Sequence, residues 1–388
     1  MGFMATVILL ALSGLPGSGQ AEIDDSPARE HAIAQLRELQ SAYFNKGQPD
    51  GLVEDLSLVG SDVTDAVMDL LNELPEIRVL QLFDTRVTHV GLRRLEHLAE
   101  LQELSLGRAQ INDEMMETVG ALAGLRELEL RGTRVTCVGL RQLRRLTRLR
   151  KLRLEGVQVN DEMMETVGAL TGLQRLELTD TRVTDVGIRR LRSLTELKVL
   201  LLDGVEITDE GLSTLSSLKH LETLVLRDMR IHGTGLNDLG PLIGLELLLL
   251  EGPLETVEGL TSLKGLRELW LCDTGVTDAG FEPLRRIPNL ERLVLNGETF
   301  TDRKLDALPG FPRLKKFGVS CVDYQLSDSA AERFRKGIQG VECTGDTCGG
   351  ANLSRARRAE ELERRHLLRH GISGRIRLAW RSAVRRLW

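Results

Sequence analysis

The strongest constraint on this chain is a period. Residues 101–148 and 149–196 are near copies of one another, and the eleven residues NDEMMETVGAL recur unchanged at 112–122 and 160–170. Within each 48-residue copy lies a unit of 24, which begins at Val53, Ile77, Leu101, Leu125, Leu149, Leu173, Leu197, Leu221 and Leu245. After one step of 21 residues it resumes at Leu266, Leu290 and Leu314. A fixed period of this length marks a stack of like modules, each too small to bury its own apolar side.

Counted from Leu125, apolar residues fall at positions 1, 4 and 6 (Leu125, Leu128, Leu130), at 11 (Val135), and at 16, 19 and 22 (Leu140, Leu143, Leu146). The first group ends in the alternation of a strand with one buried face. The last is spaced by three, which suits a short helix. Between them stands Thr-Asp or Asn-Asp, as at Thr64-Asp65, Asn112-Asp113, Asn160-Asp161, Thr184-Asp185, Thr208-Asp209, Thr277-Asp278 and Thr301-Asp302. Thr and Asn are good N-caps, and an acid after them meets the positive end of the helix. Each unit therefore reads strand, turn, capped helix. Position 15 is Gly in many units (Gly91, Gly139, Gly187, Gly211, Gly235, Gly280), which predicts close approach of neighbouring helices. It is Met in the duplicated pair (Met115, Met163), predicted as core filler. The short unit 245–265 lacks the cap and carries Pro253, so its helix is expected to shrink to a turn.

The string Leu-x-x-Leu-x-Leu-x-x-Thr-x-Val-Thr-Asp-x-Gly-Leu resembles the leucine-rich-repeat family, in its bacterial 24-residue T-x-V-T-D-x-G-L form, related to ribonuclease-inhibitor-like proteins. The resemblance covers 53–320. It implies an α/β fold: a right-handed solenoid, or horseshoe, with one curved parallel sheet of twelve strands and helical caps at both ends. The family's ninth-position Asn is here Thr (Thr85, Thr133, Thr181, Thr274) or apolar (Ala109, Val157, Val205), so a partial threonine ladder is expected in place of an asparagine one. In this family, strand positions 3, 5, 7 and 8 line the concave face, where partner proteins dock. Position 5 reads Ser57, Gln81, Ser105, Glu129, Arg153, Glu177, then Leu201, Val225, Leu249, Trp270, Val294. Position 7 adds Arg131, Glu155, Asp203, Arg227, Glu251 and Asn296. An exposed apolar stripe calls for a cover, and Trp is a favoured interface anchor. The plain alternative is that Leu and Val suit strands.

Around the repeats the chain divides into 1–21, 22–52, 53–320, 321–350 and 351–388. Residues 1–21 have an apolar run from Phe3 to Leu12, then Gly19 and Ala21 in the −3/−1 places, as in a cleaved secretory signal, which would put the protein outside the cytoplasm, secreted, periplasmic or on the cell surface. Their n-region has no Lys or Arg, so a cytoplasmic protein with an uncleaved start is the other reading. Residues 26–44 start with Ser26 as N-cap and Pro27 at the first helical position, with Ala32, Leu36, Leu39 and Tyr43 at helical spacing; a helix there would cover the open end of the first repeat. Residues 321–350 lose the period, and SDSAAERFRKGI predicts one last helix. A disulfide from Cys321 to Cys343 or Cys348 would suit an exported protein's cap; three free thiols are the alternative.

The net charge of −6 is uneven: residues 349–388 hold eleven Arg and three Glu, leaving about −14 on the rest. In the tail, Ile376, Trp380, Ala383, Val384 and Leu387 share one helical face, with Arg375, Arg381, Arg385 and Arg386 mostly off it. Such a segment suits an anionic membrane surface or an acidic partner, or stays disordered until contact.

Little in the sequence suggests catalysis. A 24-residue period supplies columns rather than a convergent cluster of tuned groups. The seven His never form a His-x3-His or His-Glu-x-x-His pair, so no metal or cofactor is expected. Gly14 to Ala21 has P-loop spacing but offers Gln20 and Ala21 where Lys and Ser or Thr are needed. Cys321-Val-Asp323 has the Cys-x-Asp form of bacterial leucine-rich-repeat ubiquitin ligases, with too little chain after it for their catalytic domain. Arg86, Arg134, Arg182 and Arg230 recur at position 10, but with an acidic body and no interleaved aromatics nucleic acid is not an expected partner. No small-molecule substrate is expected either.

Overall fold

The computed structural model describes residues 26–39, 42–44, 53–108, 110–156, 159–320, 323–336 and 341–345. The chain divides into two compact units, Met1–Leu266 and Arg267–Trp388.

In the first unit a short strand, β1 (Ala42–Phe44), is followed by β2 (Asp55–Val59), β3 (Val79–Phe83), β4 (Glu103–Gly107), β5 (Glu127–Arg131), β6 (Lys151–Glu155), β7 (Arg175–Thr179), β8 (Val199–Asp203), β9 (Thr223–Arg227) and β10 (Leu247–Glu251). Strands β2 to β10 pair in parallel in chain order, each with a helical segment between it and the next. The sequence period is the pairing register: Leu56 faces Leu80, Leu128 faces Leu152 and Leu224 faces Leu248. A slip of one residue would turn every leucine to the other side of the sheet. The inward leucines Leu56, Leu58, Leu80 and Leu82 are at most 1% exposed. Met115, Met116, Met163 and Met164 are buried as expected.

Where each strand ends, position 8 turns the chain through the left-handed region, with φ of 54° at Asp84, 49° at Arg108 and 59° at Gly132. The N–H freed there donates to the next rung: Gly60 to the Phe83 carbonyl at 2.9 Å, Asp84 to Gly107 at 3.0 Å, Arg108 to Arg131 at 2.7 Å. This backbone ladder takes the place of the expected threonine ladder. The hydroxyls of Thr85, Thr133 and Thr181 are buried without a hydrogen-bond partner among the described residues.

A side-chain clasp does tie rung to rung, one turn further on. The carboxylate of Asp65, Asp113, Asp161 and Asp185 accepts the N–H of Thr88, Thr136, Thr184 and Thr208 at 2.7–3.0 Å, and the same threonine's hydroxyl at 2.5–2.7 Å. Each hydroxyl also caps its own helix, accepting from the N–H two residues on at 3.2–3.3 Å. A Cβ added to Gly91, Gly139, Gly187 or Gly211 would collide with the carboxylate of the preceding rung. Hence Thr and Gly follow an aspartate one rung later. Where His89 and Cys137 take the aspartate's place, the next rung has Asn112 with Met115, and Asn160 with Met163. There the Asn side chain caps its own helix, accepting from the methionine N–H at 3.2 and 3.3 Å.

The helix of 245–265 does shrink, to a single 3-10 turn at Glu258–Ser262. The preceding unit loses its α-helix too: Gly233, at φ 101°, stands before a 3-10 segment Thr234–Leu239. Its His232-Gly233 replaces the Thr-Asp cap. At the start of the unit, Ser26 accepts from the Arg29 N–H and opens the helix Pro27–Glu38, shorter than the predicted 26–44. Tyr43 and Phe44, good strand formers, instead pair antiparallel with β2. Arg29, 7% exposed, donates to Glu76 at 2.8 Å and pins the helix to the first rung.

The second unit holds β11 (Glu268–Cys272), β12 (Arg292–Asn296), β13 (Thr299–Thr301), β14 (Lys316–Ser320), β15 (Asp323–Gln325) and β16 (Glu342–Gly345). Strands β11, β12, β14 and β16 are parallel neighbours, and β13 pairs with β15. The expected last helix spans Asp328–Lys336, while β16 adds a strand beyond the last sequence repeat. Phe300, Phe317 and Phe334 pack with ring centroids 5.4–6.3 Å apart. Glu298, 1% exposed, accepts the Thr274 hydroxyl at 2.6 Å and the Val276 N–H at 3.1 Å. Lys304, 2% exposed, donates to the Thr299 carbonyl at 2.7 Å.

The clasp predicts coupling between the two positions. Gly187→Ala alone is expected to destabilise, because its methyl meets the Asp161 carboxylate. Asp161→Ala alone should cost about 1.5–3 kcal/mol, the range for hydrogen bonds to a charged group. In the Asp161→Ala background, where Met164 Cγ and Val183 Cγ1 still lie 3.0 Å from the added methyl, Gly187→Ala should cost less than it does alone. Urea midpoints of the four proteins measure the coupling; additive effects would remove the clasp as the reason for the glycine.

Candidate functional site

Positions 3, 5 and 7 of each strand point away from the leucine core. Across β5, β6 and β7 the register places Glu129, Arg153 and Glu177 side by side. Arg153 donates to Glu129 at 2.7 Å and, through Nε and Nη2, to Glu177 at 2.6 and 2.9 Å. Arg175 adds a bond to Glu177 at 2.7 Å, and Arg131 pairs with Glu155 at 3.1 Å. Burial by itself would raise the Glu177 carboxyl, but the charge and hydrogen bonds of Arg153, then those of Arg175, outweigh it and hold the group at about 2. Burial likewise opposes the Arg153 charge, yet Glu177 and then Glu129 push its pKa up. Arg131, Arg153 and Glu177, which the sequence places on the docking face, are therefore already bonded within the chain, Arg153 with Glu177 and Arg131 with Glu155.

Beyond this ladder the face changes character. In register on β8, β9 and β10 lie Leu201, Val225 and Leu249, and beside them Val199, Thr223 and Leu247. Leu201, Val225 and Leu247 are half-buried, whereas Val199 is 9% and Leu249 3% exposed. Leu249 thus lies beside Val225 on the same face but is covered, and offers little surface to a partner. The patch is rimmed by charge: Arg227 bridges Asp203 at 3.3 Å and Glu251 at 2.5 Å, and Lys198 meets Glu222 at 2.9 Å on the opposite side. Position 3 was missed in the sequence, where only positions 5 and 7 were followed; the signal was present in Val199 and Leu247.

In the second unit Trp270 is half-buried and held on two sides. Its indole N–H donates to Glu268 at 2.6 Å, and the Arg292 guanidinium lies 5.2 Å from its ring. Val294, next in register, is 8% exposed. The apolar stripe is therefore narrower here than its letters imply.

A different carboxyl stands out upstream. Glu103, on β4, is pushed up to about 7 by burial and by Glu127, with Lys151 opposing and Asp55 adding. On the helical side, alternating charges pair across rungs: Arg141 with Glu162 at 3.1 Å, Arg144 with Glu165 at 3.0 Å, Arg189 with Glu210 at 2.6 Å, and Arg94 with Asp69 at 2.7 Å.

Among the described residues, no group of three or more His, Cys, Asp or Glu is placed to hold a metal ion, and no helix is long and apolar enough to cross a membrane. Cys137 and Cys272 form no disulfide among the described residues. Cys321, Cys348 and the side chain of Cys343 lie outside the described residues, as do 1–21 and the tail with Arg375, Ile376, Trp380, Arg381, Arg385 and Arg386.

Comparison with known proteins follows this geometry. A family model described as a leucine-rich repeat region matches residues 56–333. No curated protein matches the chain. Among solved structures, an internalin (inlF) of Listeria monocytogenes is similar with a TM-score of 0.57 at 19% identity, over 83% of this chain and 95% of that one. A leucine-rich-repeat protein of Leptospira interrogans gives 0.38 at 17% identity, over 71% and 91%. The internalin C2 of Listeria monocytogenes gives 0.37 at 21%, over 63% and 92%. At 19% identity the likeness to the first of these shows the fold.

The Glu177 ladder has a pH signature. Its folded value near 2 lies below the ordinary 4.5, so its contribution is complete above about pH 4.5 and is lost as the pH falls toward 2. Glu177→Gln should cost about 1.5–3 kcal/mol at neutral pH. The gap to the parent should close between those limits, as read from urea midpoints across pH.

Proposed function

This chain belongs to the leucine-rich-repeat family, and we propose that it is a non-enzymatic scaffold that holds a partner protein on the strand-lined face of its first unit, over β8 to β10. One observation carries this reading: an apolar patch of Leu201, Val225 and Leu247, flanked by Val199 and Leu249, sits inside a rim of paired charges. An apolar centre within a polar rim is the anatomy of a protein interface. The neighbouring Glu129–Arg153–Glu177 ladder suits a border better than a centre. Its groups already satisfy one another, and covering them would remove their remaining water for little new bonding.

A partner for this patch presents a compact apolar knob flanked by groups that extend the Asp203–Arg227–Glu251 line. Arg227, with a carboxylate on each side, keeps those rim charges fixed for a polar neighbour to read. In the second unit Trp270, between Glu268 and Arg292, is a further candidate contact. The repeat supplies columns of like residues rather than convergent reactive groups, which suits binding and not catalysis. The apolar run Phe3–Leu12, with small residues after it, favours work outside the cytoplasm.

Leu201→Asp with Val225→Asp is expected to abolish partner capture while the circular dichroism spectrum stays that of the parent, which separates lost binding from unfolding. A photo-crosslinker at Val225 should trap the same partner, and one at Val138 on the helical side should not. A partner retained by the double variant would remove this face from consideration. Mass spectrometry of the mature amino terminus tests the compartment: a start at or near Glu22 is expected, and an intact Met1 on protein recovered from its native cells would refute export through a cleaved signal.

A further inference from the structure

The turn that follows each strand carries a second, unrelated pattern. Position 10 is fixed by its own backbone ladder, in which the N–H of Arg86 donates to the Val63 carbonyl at 2.9 Å, Arg134 to Ile111 at 2.9 Å and Arg182 to Val159 at 2.8 Å. Three arginines are thus held in a row, two rungs apart, along the edge of the first unit. All three are exposed. Most arginines on the strand face and several on the helical side are bonded to carboxylates, as described above. The guanidinium groups of Arg86, Arg134 and Arg182 make no hydrogen bond or ion pair with any described residue. Gln110, also exposed, occupies the rung between Arg86 and Arg134, and the sequence puts Gln158 on the rung between Arg134 and Arg182. At position 8, Arg108, Gly132 and Gly156 bring no carboxylate to the middle of the strip, whereas Asp84 and Asp180 at position 8, and Asp62 and Glu206 at position 10, mark its two ends.

The spacing selects a ligand. Neighbouring rungs stand ~4.8 Å apart, so successive arginines in this row repeat every ~9.6 Å. One turn of polyproline II, three residues at ~3.1 Å, advances about 9.3 Å and makes no hydrogen bonds of its own. We propose that this edge binds an extended, polyproline-II-like peptide with a carboxylate at every third residue. Each carboxylate meets one arginine, in the two-pronged geometry that guanidinium favours. The intervening Gln110 takes a backbone N–H or C=O that the peptide leaves unpaired. A β-strand would present alternate side chains every ~6.6 Å and fall out of step within two arginines. The phosphates of a nucleic-acid duplex strand recur every ~3.4 Å, so about two of every three would pass between the arginines without a partner.

The test uses the full chain and two synthetic peptides in fluorescence anisotropy at low salt. One is a repeat of Glu-Pro-Pro; the other has the same length and composition with its glutamates unevenly spaced. The regular peptide is expected to bind, and the irregular one at least about fivefold more weakly. Arg86→Gln, Arg134→Gln and Arg182→Gln should each weaken binding by up to about fivefold, the upper weight of one exposed ion pair. The triple variant should reduce binding to background with an unchanged circular dichroism spectrum, since none of the three side chains holds the fold. Leu201→Asp with Val225→Asp should leave this binding unchanged, which separates it from the strand-face reading. Equal affinity for the two peptides, or undiminished affinity in the triple variant, would overturn the proposal. So would tighter binding of a single-stranded oligonucleotide that the triple variant abolishes, which would assign the row to nucleic acid.

Discussion

Everything in this molecule depends on neighbouring rungs keeping their register. A leucine at position 4 or 6 is buried only because another leucine, 24 residues away, lies beside it on the next strand. No rung has a core of its own, so whatever fixes one rung against the next protects the whole hydrophobic column. Two devices share that task in the first unit. The left-handed residue at position 8 sends its N–H to the adjacent strand end, and the Asp–Thr clasp repeats the connection at the start of the helix. Both lie at corners, where the chain changes direction and strand hydrogen bonds no longer hold it.

The clasp also explains why the period is 48 as well as 24. In the first unit, a carboxylate at position 13 imposes two demands on the following rung: a hydroxyl to grip and a residue without a Cβ to stand clear. Thr184 with Gly187 after Asp161 meets both. Where Cys137 stands in place of aspartate, the space is open, and the next rung fills it with Met163 and caps its helix with Asn160. The two rung types differ in surface charge as well, so Arg141 of one finds Glu162 of the next. The duplicated segment is therefore one structural unit of two complementary rungs, and each needs the other's residue choices.

The fold was largely legible in the sequence, because apolar spacing and register are the same information written twice. Strand positions, the buried methionines and the shrunken helix after Pro253 could be read directly. What could not be read involved geometry across rungs. The threonines at position 9 look like ladder formers, but Thr85, Thr133 and Thr181 are bypassed by a backbone ladder one residue earlier, whose mark in the sequence is the Gly or Asp at position 8, as at Gly60, Asp84, Gly132, Gly156 and Asp180. Asp113 looks like a helix-dipole residue and turns out to hold its neighbour as well. In the candidate site, Leu201 and Val225 were visible as an apolar stripe, yet the burial of Leu249 and the bonding of Trp270 depend on adjacent side chains, which a single column does not contain.

The same logic separates surfaces suited to recognition from surfaces that serve the stack. A column of alternating charge in strand register closes on itself: Glu129, Arg153 and Glu177 bond in sequence, and the pKa of Glu177 falls as a result. Such a column is rigid but saturated. A column of one charge type at alternate rungs cannot close, because the spacing leaves each arginine about two rungs, ~9.6 Å, from the next and with nothing opposite between them. An apolar column cannot close either, having no bonds to make. The first unit carries one of each open kind, the Leu201–Val225 patch and the Arg86–Arg134–Arg182 row, separated by the turn after the strands. Repetition therefore does more than build the solenoid. It determines, column by column, which chemistry is satisfied within the chain and which is left for another molecule.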